Sequence, residues 1–251
     1  MGKADLHIHT AFSDGMAEAR QLLEYVEEQT ELDVIAVTDH DDVRGALAAR
    51  EIWAQGRFRF DFVTGVEVTA IEGHLLALFV EEPVPTLCPV RRVLEAVHRQ
   101  DGLCVIPHPL SPFTRSLDRP TIERIASRGQ DGAYFDAIEA VHRSPLSATW
   151  RRTGGALNRR LKLAAVANSD SHHLKTIGSA TTEFSGSSSE ELKRAIVSRT
   201  SRAVTNSCPT LAEIGYGQVV QQAWRGLTAT PRIVGWGPTA QSFVKRIFHS
   251  Q

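Results

Sequence analysis

Residues 5–15 read DLHIHTAFSDG, and they place His7 and His9 two positions apart near the start of the chain. Side chains at positions i and i+2 of a strand point to the same face, because they alternate with a period of two. The two imidazoles would therefore bind one ion together if this stretch is a strand. The pair alone is weak support, since incidental histidines also occur at this spacing.

Short apolar runs that end in polar residues recur along the chain and resemble buried strands. They are residues 33–40, 61–67, 74–80, 103–109, 134–141 and 162–172. Helical patterns lie between and around them, at residues 16–30, 42–56, 88–100, 118–128, 145–160 and 187–199. The alternation predicts an α/β fold with a parallel sheet and outer helices. In a barrel of this kind the chemistry lies where the strands end.

The bulk composition fits one barrel-sized globular core, with 251 residues, 42% apolar content and a net charge of -1. The low net charge argues against a general binder of duplex DNA or anionic membranes. No apolar run follows a basic start, and no apolar stretch reaches about 18 residues, so we expect a cytoplasmic protein without a signal peptide or membrane span. The three cysteines are widely spaced, which predicts no thiolate zinc site.

Two segments depart from the alternation. Residues 181–190, TTEFSGSSSE, are predicted to form a solvated loop before a helix, with an N-cap among Ser187 to Ser189. From Cys208 onward the sequence is rich in glycine and proline, so we expect a barrel over residues 1–207 and a C-terminal helical extension over 208–251.

The end of that extension, residues 238–250, places four apolar side chains on one helical face. They are Phe243, Val244, Ile247 and Phe248. Docking of this face on the barrel is favoured over a dimer contact or a helix at a membrane surface.

Further ligand-type side chains accompany the predicted strand ends. They are Asp14, His40, Glu67, His74, His108, Asp170 and His172. Each has an ordinary explanation when taken singly, such as a helix cap for Asp14 or an exposed acid for Glu67. Burying them together is costly unless they bind an ion or one another. Nitrogen and oxygen ligands without thiolates predict Mn²⁺, Zn²⁺ or Fe²⁺.

These residues resemble the polymerase and histidinol phosphatase, or PHP, superfamily of metal-dependent phosphoesterases. The resemblance rests on four motifs in the family's order, namely DLHIHT with SDG, then TDHD, then IPHP, then NSDSH, and it spans residues 4 to about 205. It implies a distorted seven-stranded (β/α) barrel, TIM-like in form, with two or three divalent metal ions at the carboxyl ends of its strands.

The resemblance also implies a ligand set. The first ion would be bound by His7, His9, Glu67 and Asp170, with Glu67 bridging to a second ion bound by His74 and His108. The third ion would be bound by Asp14, His40 and His172. All nine positions are occupied. Asp5 and Asp39, beside the ligands, are expected to orient imidazoles, although a plain strand-end hydrogen bond is an equal alternative for Asp39.

The chain departs from its relatives in two places. Only 33 residues separate His74 from His108, where some nucleotide-acting members carry a large insertion that forms a substrate lid. Asn168 stands where the family usually has glycine, a change expected to affect packing rather than ligation. His142 is outside the family's ligand pattern and is expected to lie at the rim, with substrate contact as the alternative.

Clustered divalent ions suit phosphoryl transfer, so the hypothesis is in-line attack on a phosphate ester by a metal-bridging hydroxide. The third-ion residues and Arg115 are expected to act in catalysis. Arg115 would clamp a phosphate oxygen, and Lys175 or Arg143 would do so less readily. His172 would protonate the leaving group only if it were not a ligand, and we favour the ligand role.

Three functions compete. The first is hydrolysis of a small phosphomonoester or phosphodiester, with a nucleotide, a short nucleic-acid end and histidinol phosphate among the candidate substrates. The second is hydrolysis of an amide or lactone, and the third is a non-catalytic scaffold, which the intact ligand set disfavours. No stripe of basic and aromatic residues tracks a long single strand, and the sequence does not fix the oligomeric state.

Overall fold

The computed structural model describes residues 1–112, 114–128, 133–142 and 153–249. Its strands are β1 (Gly2–Ile8), β2 (Val34–Val37), β3 (Asp61–Thr69), β4 (His74–Leu78), β5 (Leu103–Ile106), β6 (Ala137–His142), β7 (Ala164–Asn168), β8 (Ala180–Phe184) and β9 (Arg202–Thr205). Its helices are α1 (Ala19–Gln29), α2 (Arg44–Gln55), α3 (Val90–His98), α4 (Arg119–Arg128), α5 (Thr153–Leu161), α6 (Ser189–Val197), α7 (Leu211–Ile214), α8 (Tyr216–Val234) and α9 (Trp236–His249). Within the described residues, β1 to β7 correspond to the seven strand-like runs of the sequence.

The strands form one sheet in the spatial order β7, β6, β5, β4, β3, β2, β1, β8, β9. The sheet nearly closes on itself, because the chain just after β7 pairs with the end of β1. The Ser171 N–H donates to the His7 carbonyl at 3.0 Å, and the His9 N–H donates to the Ser171 carbonyl at 2.9 Å. The predicted distorted, TIM-like α/β barrel with C-terminal helices is confirmed.

The expectation of a purely parallel sheet is wrong at β4, which runs antiparallel to both β3 and β5. Only residues 70–73 connect β3 to β4, and a parallel crossover needs a dozen or more residues. The reversal has a functional result, because it brings His74 at the start of β4 opposite Thr69 at the end of β3.

The predicted loop over 181–190 is wrong in its first half. Residues 180–184 form β8, which pairs antiparallel with residues 2–4 of β1. The second half is confirmed, because Ser188 caps α6 and accepts from the Glu191 N–H in a capping box.

Alternate positions of the strands fill the barrel interior with side chains such as Leu6, Val34 and Leu76, and the opposite positions pack against the helices. The alternation breaks in β1, whose pairing with β2 shifts between Asp5 and Ile8. Leu6 belongs to the interior cluster, whereas Ile8 packs with residues of α1 and α2. A bulge of this kind re-aims neighbouring side chains, and here it precedes His9 and includes His7.

The C-terminal region is more helical than its glycine and proline content suggested, since α8 continues through Pro231. The expected docking of Phe243 and Val244 is wrong, because these side chains are 58% and 50% exposed. Ser242 and Ala229 are buried instead, at 2% and 1% exposure. The side chains of residues 247–249 lie outside the described set.

Across the described part of the chain, no helix combines the length and apolar character needed to cross a membrane.

Candidate metal centre

The ligand-type side chains predicted from the sequence meet at one end of the barrel. They are His7, His9, Asp14, His40, Glu67, His74, His108, Asp170 and His172. Their convergence follows from the topology. The parallel strands end at one end of the barrel, and antiparallel β4 begins at that same end. Most of them are almost completely buried.

A tight turn after β1 brings Asp14 back toward the strand that precedes it. The Gly15 N–H donates to the Thr10 carbonyl at 2.9 Å, which closes the turn. A Cβ atom at Gly15 would lie 2.3 Å from the His9 carbonyl oxygen, so only glycine fits this close approach. The motif SDG therefore places a carboxylate beside the histidines of β1.

A first group of ligand atoms surrounds the space between β1 and the loop after β7. Glu67 Oε2 lies 3.3 Å from both His7 Nε2 and His9 Nε2. Asp170 Oδ1 lies 3.3 Å from His7 Nε2 and 3.4 Å from His9 Nε2. Two imidazole nitrogens thus face two carboxylate oxygens, as the resemblance implied for the first ion.

The second group is built on the other oxygen of Glu67. Its Oε1 lies 2.8 Å from His74 Nδ1 and 3.0 Å from His108 Nε2. His40 Nδ1 also approaches Glu67, at 3.4 Å from Oε2. Glu67 is therefore placed between the first and second groups, and His40 lies closer to the second group than the sequence suggested.

The third group gathers around Asp14. Its Oδ2 lies 3.1 Å from His172 Nε2 and 3.7 Å from His40 Nε2. Its Oδ1 lies 3.6 Å from His9 Nδ1. His9 and His40 thus face two groups through their two ring nitrogens, so the three groups form one continuous cluster.

The donor set fits metal ions on a direct observation. His7 Nε2, both ring nitrogens of His9, and His40 Nδ1 are buried and have no hydrogen-bond partner. Buried polar atoms are nearly always paired, because leaving one unpaired costs free energy. An imidazole nitrogen aimed at carboxylates without a hydrogen bond is explained by an ion between them.

The electrostatics of the cluster show how strongly it favours positive charge. Burial opposes the charged form of His40, but Glu67 and Asp14 outweigh it and raise the pKa of His40 to about 10. Burial likewise opposes the charging of His172, and Asp14 raises its pKa to about 9. Ions that bind here must displace such protons, so ion affinity is expected to fall as the pH is lowered.

Glu139 supports the site, although the sequence analysis did not single it out. This fully buried carboxylate on β6 has Oε1 at 3.0 Å from His7 Nδ1, and its Oε2 accepts the His108 N–H at 2.7 Å. Asn168 Nδ2 donates to Glu139 Oε1 at 3.1 Å, and Asn168 Oδ1 accepts the Leu6 N–H at 3.0 Å. The sequence signal that could have identified it is a glutamate inside the apolar run AIEAV, where a buried carboxylate needs partners.

Two further histidines, His108 and His172, have a hydrogen-bond partner at Nδ1. His108 Nδ1 lies 2.9 Å from Ser116 Oγ and 3.0 Å from Thr114 Oγ1. His172 Nδ1 lies 3.0 Å from the Asp170 carbonyl oxygen, to which it can only donate. When His172 is neutral, this contact places its single proton on Nδ1. Nε2, which lies 3.1 Å from Asp14 Oδ2, is then the nitrogen that can bind an ion.

The expected role of Asp5 needs correction, whereas Asp39 follows one of its two expected alternatives. Asp5 accepts the N–H groups of Ser169 at 3.0 Å and Gly178 at 2.9 Å, so it joins backbone segments rather than orienting an imidazole. Burial raises its pKa to about 6. Asp39 accepts from the Thr10 N–H at 2.8 Å and from the Ser13 hydroxyl at 2.5 Å, which matches the strand-end alternative.

The backbone is strained at two of the candidate ligands. His108 has a φ of 30° and Asp170 a φ of 52°, in the region that residues other than glycine rarely adopt. Such conformations cluster at functional sites, where the surrounding structure enforces them.

The basic residues proposed for phosphate binding occupy different settings. Arg115 Nη2 lies 3.4 Å from the Ala70 carbonyl and 3.3 Å from Ser242 Oγ, and its Nε is buried without a hydrogen-bond partner. Lys175 Nζ donates to the Glu213 carbonyl at 2.9 Å. Arg143 and the side chain of His142 lie outside the described residues.

Comparisons with known proteins found a family model and several relatives. A PHP-associated family model matches residues 149–201. An uncharacterized protein from Methanocaldococcus jannaschii is 32% identical over 152 residues, which cover 56% of this chain and 84% of that protein.

Two curated enzymes match shorter stretches. Phosphoribosyl 1,2-cyclic phosphate 1,2-diphosphodiesterase from Eggerthella lenta is 38% identical over 89 residues, which cover 33% of each chain. The 5'-3' exoribonuclease Rnm from Escherichia coli is 30% identical over 88 residues, which cover 34% of this chain and 30% of the enzyme. The matches thus span about a third of the length of either enzyme.

Solved structures share the fold at low sequence identity. A two-domain protein from Bacteroides vulgatus, which contains a predicted PHP-like metal-dependent phosphoesterase, has a TM-score of 0.63 and 18% identity over 81% of this chain and 64% of its own. An amidohydrolase from Chromobacterium violaceum has a TM-score of 0.56 and 16% identity over 81% of this chain and 98% of its own.

Proposed function

The chain belongs to the PHP superfamily of metal-dependent phosphoesterases, and we propose that it hydrolyses a small phosphate ester with two or three divalent ions. The observation that carries this proposal is the set of buried imidazole nitrogens, on His7, His9 and His40, that have no hydrogen-bond partner and face carboxylates. A scaffold that bound no ion would leave these buried nitrogens without partners, at a cost in free energy.

The proposed ligand assignment follows the three groups of atoms. His7, His9, Glu67 and Asp170 would bind the first ion, and Glu67, His74 and His108 the second. Asp14, His40 and His172 would bind the third. The set contains imidazoles and carboxylates only, which suits Mn²⁺, Zn²⁺ or Fe²⁺.

When bound, the ions supply a water activated at neutral pH and positive charge for the oxygens of the reacting phosphate. The protein orients the side chains that would bind these ions. Glu139 holds the His7 ring, and the Asp170 carbonyl holds the proton of His172 on Nδ1. An ion that displaces the Nε2 proton would therefore be bound by Nε2 of a neutral His172. We propose His172 as a ligand, not as the acid that protonates the leaving group.

Arg115 is proposed to bind a non-bridging oxygen of the phosphate. Its Nε is buried and unpartnered, and its backbone carbonyl accepts the His74 N–H, which ties this arginine to the ligand cluster. A guanidinium presents several donors in one plane, and this suits a phosphate group.

The substrate class rests on the relatives' chemistry. One matched enzyme is a phosphodiesterase of a cyclic ribose phosphate and another is an exoribonuclease. We propose a phosphomonoester or phosphodiester of nucleotide size, including the end of a short oligonucleotide. Amide or lactone hydrolysis is the alternative, and it is supported only by the shared fold of the amidohydrolase.

The test measures product release by manganese-loaded protein from a chromogenic phosphomonoester and the matching diester, beside a chelated sample and the Asp170→Asn variant. Release by the loaded wild type alone supports the proposal, and the ratio of the two rates distinguishes terminal from internal phosphate. Release from an amide or lactone but from neither phosphate ester, by folded and metal-loaded protein, would overturn it.

A further inference from the structure

Helix α8 lies against the third group of the metal centre. A Cβ atom built at Gly226 would stand 3.1 Å from Asp14 Oδ2, the oxygen that faces His172. The same helix reaches β3, where Thr230 Oγ1 lies 3.1 Å from Thr69 Oγ1. The C-terminal region therefore touches a candidate ligand directly.

Two arginines of α8 bind the turn that carries Asp14. Arg225 Nη2 donates to the Ala11 carbonyl at 2.7 Å and approaches the Ser13 carbonyl at 3.4 Å. Arg232 also donates to the Ser13 carbonyl. Within the described chain neither arginine forms an ion pair. Their guanidinium groups thus bind the backbone of this turn instead of neutralising a carboxylate.

Asp14 has little other support on its own side of the site. Among the residues that the structure describes, the one hydrogen-bond partner of its carboxylate besides the histidines is the Ser13 hydroxyl, at 3.3 Å. Its position therefore depends on the backbone of the turn. That backbone is fixed from one side by the Gly15 N–H bond to Thr10 and from the other by Arg225.

We propose that α8 is part of the third ion site, with Arg225 and Gly226 as positioning residues that hold Asp14 against His40 and His172. Arg225 fixes the turn, and Gly226 lets the helix approach without displacing the carboxylate. The inference rests on the proposed function, because it takes Asp14 to be an ion ligand.

The helix provides its own matched control. Gly217 lies on α8 as well, but a Cβ atom there would meet nothing within 4 Å. Gly226→Ala and Gly217→Ala both replace a glycine of α8 by a better helix former, yet only Gly226→Ala brings a methyl group against Asp14. A difference between them in ion binding therefore reports the contact and not the stiffness of the helix.

The experiment counts manganese ions per chain and titrates their affinities in the wild type, Gly226→Ala, Gly217→Ala, Arg225→Ala and Arg225→Lys, with melting temperature as a check on folding. We expect Gly226→Ala and Arg225→Ala to weaken one ion by about tenfold and to leave the others unchanged. Arg225→Lys should recover part of the loss, since lysine reaches one carbonyl but lacks the fork. Gly217→Ala should match the wild type.

Wild-type ion numbers and affinities in both Gly226→Ala and Arg225→Lys would overturn the inference, as would equal losses in the two glycine variants. If Arg225→Ala does not fold, the comparison of Gly226→Ala with Gly217→Ala and the result for Arg225→Lys still test the inference. A wild type that binds no manganese would instead contradict the proposed function, so the two failures are distinguishable.

Discussion

Two clusters of ligand-type side chains lie at opposite ends of β5, and they differ in how their polar atoms are satisfied. At the carboxyl end lies the metal centre, with buried imidazole nitrogens that have no partner. At the other end, His98, Cys104 and Asp136 bring possible ligand atoms within 4.8 Å of one another. There Asp136 Oδ2 lies 3.0 Å from His98 Nε2 and accepts the Cys104 N–H at 2.7 Å.

Unpaired buried nitrogens distinguish the metal centre from the second cluster. Proximity of ligand types is common to both clusters, but only the metal centre leaves buried nitrogens that hydrogen bonding does not explain. In the second cluster burial raises the pKa of the Cys104 thiol well above its usual range, which keeps the thiol protonated.

The largest effect is expected from Asp170→Asn. It removes a carboxylate that faces both His7 and His9, so turnover should fall by about a thousandfold and at least one ion should be lost. Asp136→Asn is the matched control in the second cluster, and it should keep the turnover and the ion content of the wild type. Comparable turnover and ion content in the two variants would show that the metal centre does not differ from the second cluster in ion binding.

Removal of the ions should lower stability. Ions that bind only the folded chain stabilise it by about 4 kcal/mol at a thousandfold excess over their dissociation constant. Excess chelator should therefore lower the melting temperature of the wild type, and of Asp136→Asn by the same amount. A melting temperature indifferent to chelator in manganese-loaded protein would argue against a metal-stabilised core.

Glu139→Gln should have an intermediate effect. Glu139 accepts from Asn168 Nδ2 and the His108 N–H and faces His7 Nδ1, and an amide would turn a donor toward one of these groups. Ion affinity should weaken by about 10 to 100-fold while the fold persists. Calorimetric titration with manganese checks this, and an unchanged affinity would show that Glu139 does not tune the site.

The smallest effect is expected from His98→Leu. It removes the pairing with Asp136, which is worth about 1 kcal/mol for an ordinary hydrogen bond. Denaturant unfolding should show that loss, with ion number and turnover unchanged. A loss of a bound ion would place a metal in the second cluster as well.

The sequence predicted the strands and the strand-end residues because both depend on local patterns. Apolar runs with a polar residue at or beside one end marked seven strands, and the meeting of these polar residues follows from the topology. β8 was missed because TTEF alternates too weakly to distinguish a strand from a loop. The length of α8 was missed because glycine and proline weaken a helical pattern, and Pro231 is tolerated within it.

The orienting residues were harder to predict because they depend on distant pairing. Glu139 reaches His7 across 132 positions of sequence. The contact of Gly226 with Asp14 likewise depends on where the C-terminal helices pack. The bulge in β1, which re-aims His7, leaves no clear mark in the sequence.

Anomalous scattering from a crystal of the manganese-loaded protein would locate the bound ions directly. We expect two or three peaks bounded by His7, Glu67 and Asp14 with their neighbouring ligands, and none between His98 and Asp136. Absence of any peak among the nine candidate ligands, in crystals grown with saturating manganese, would contradict it.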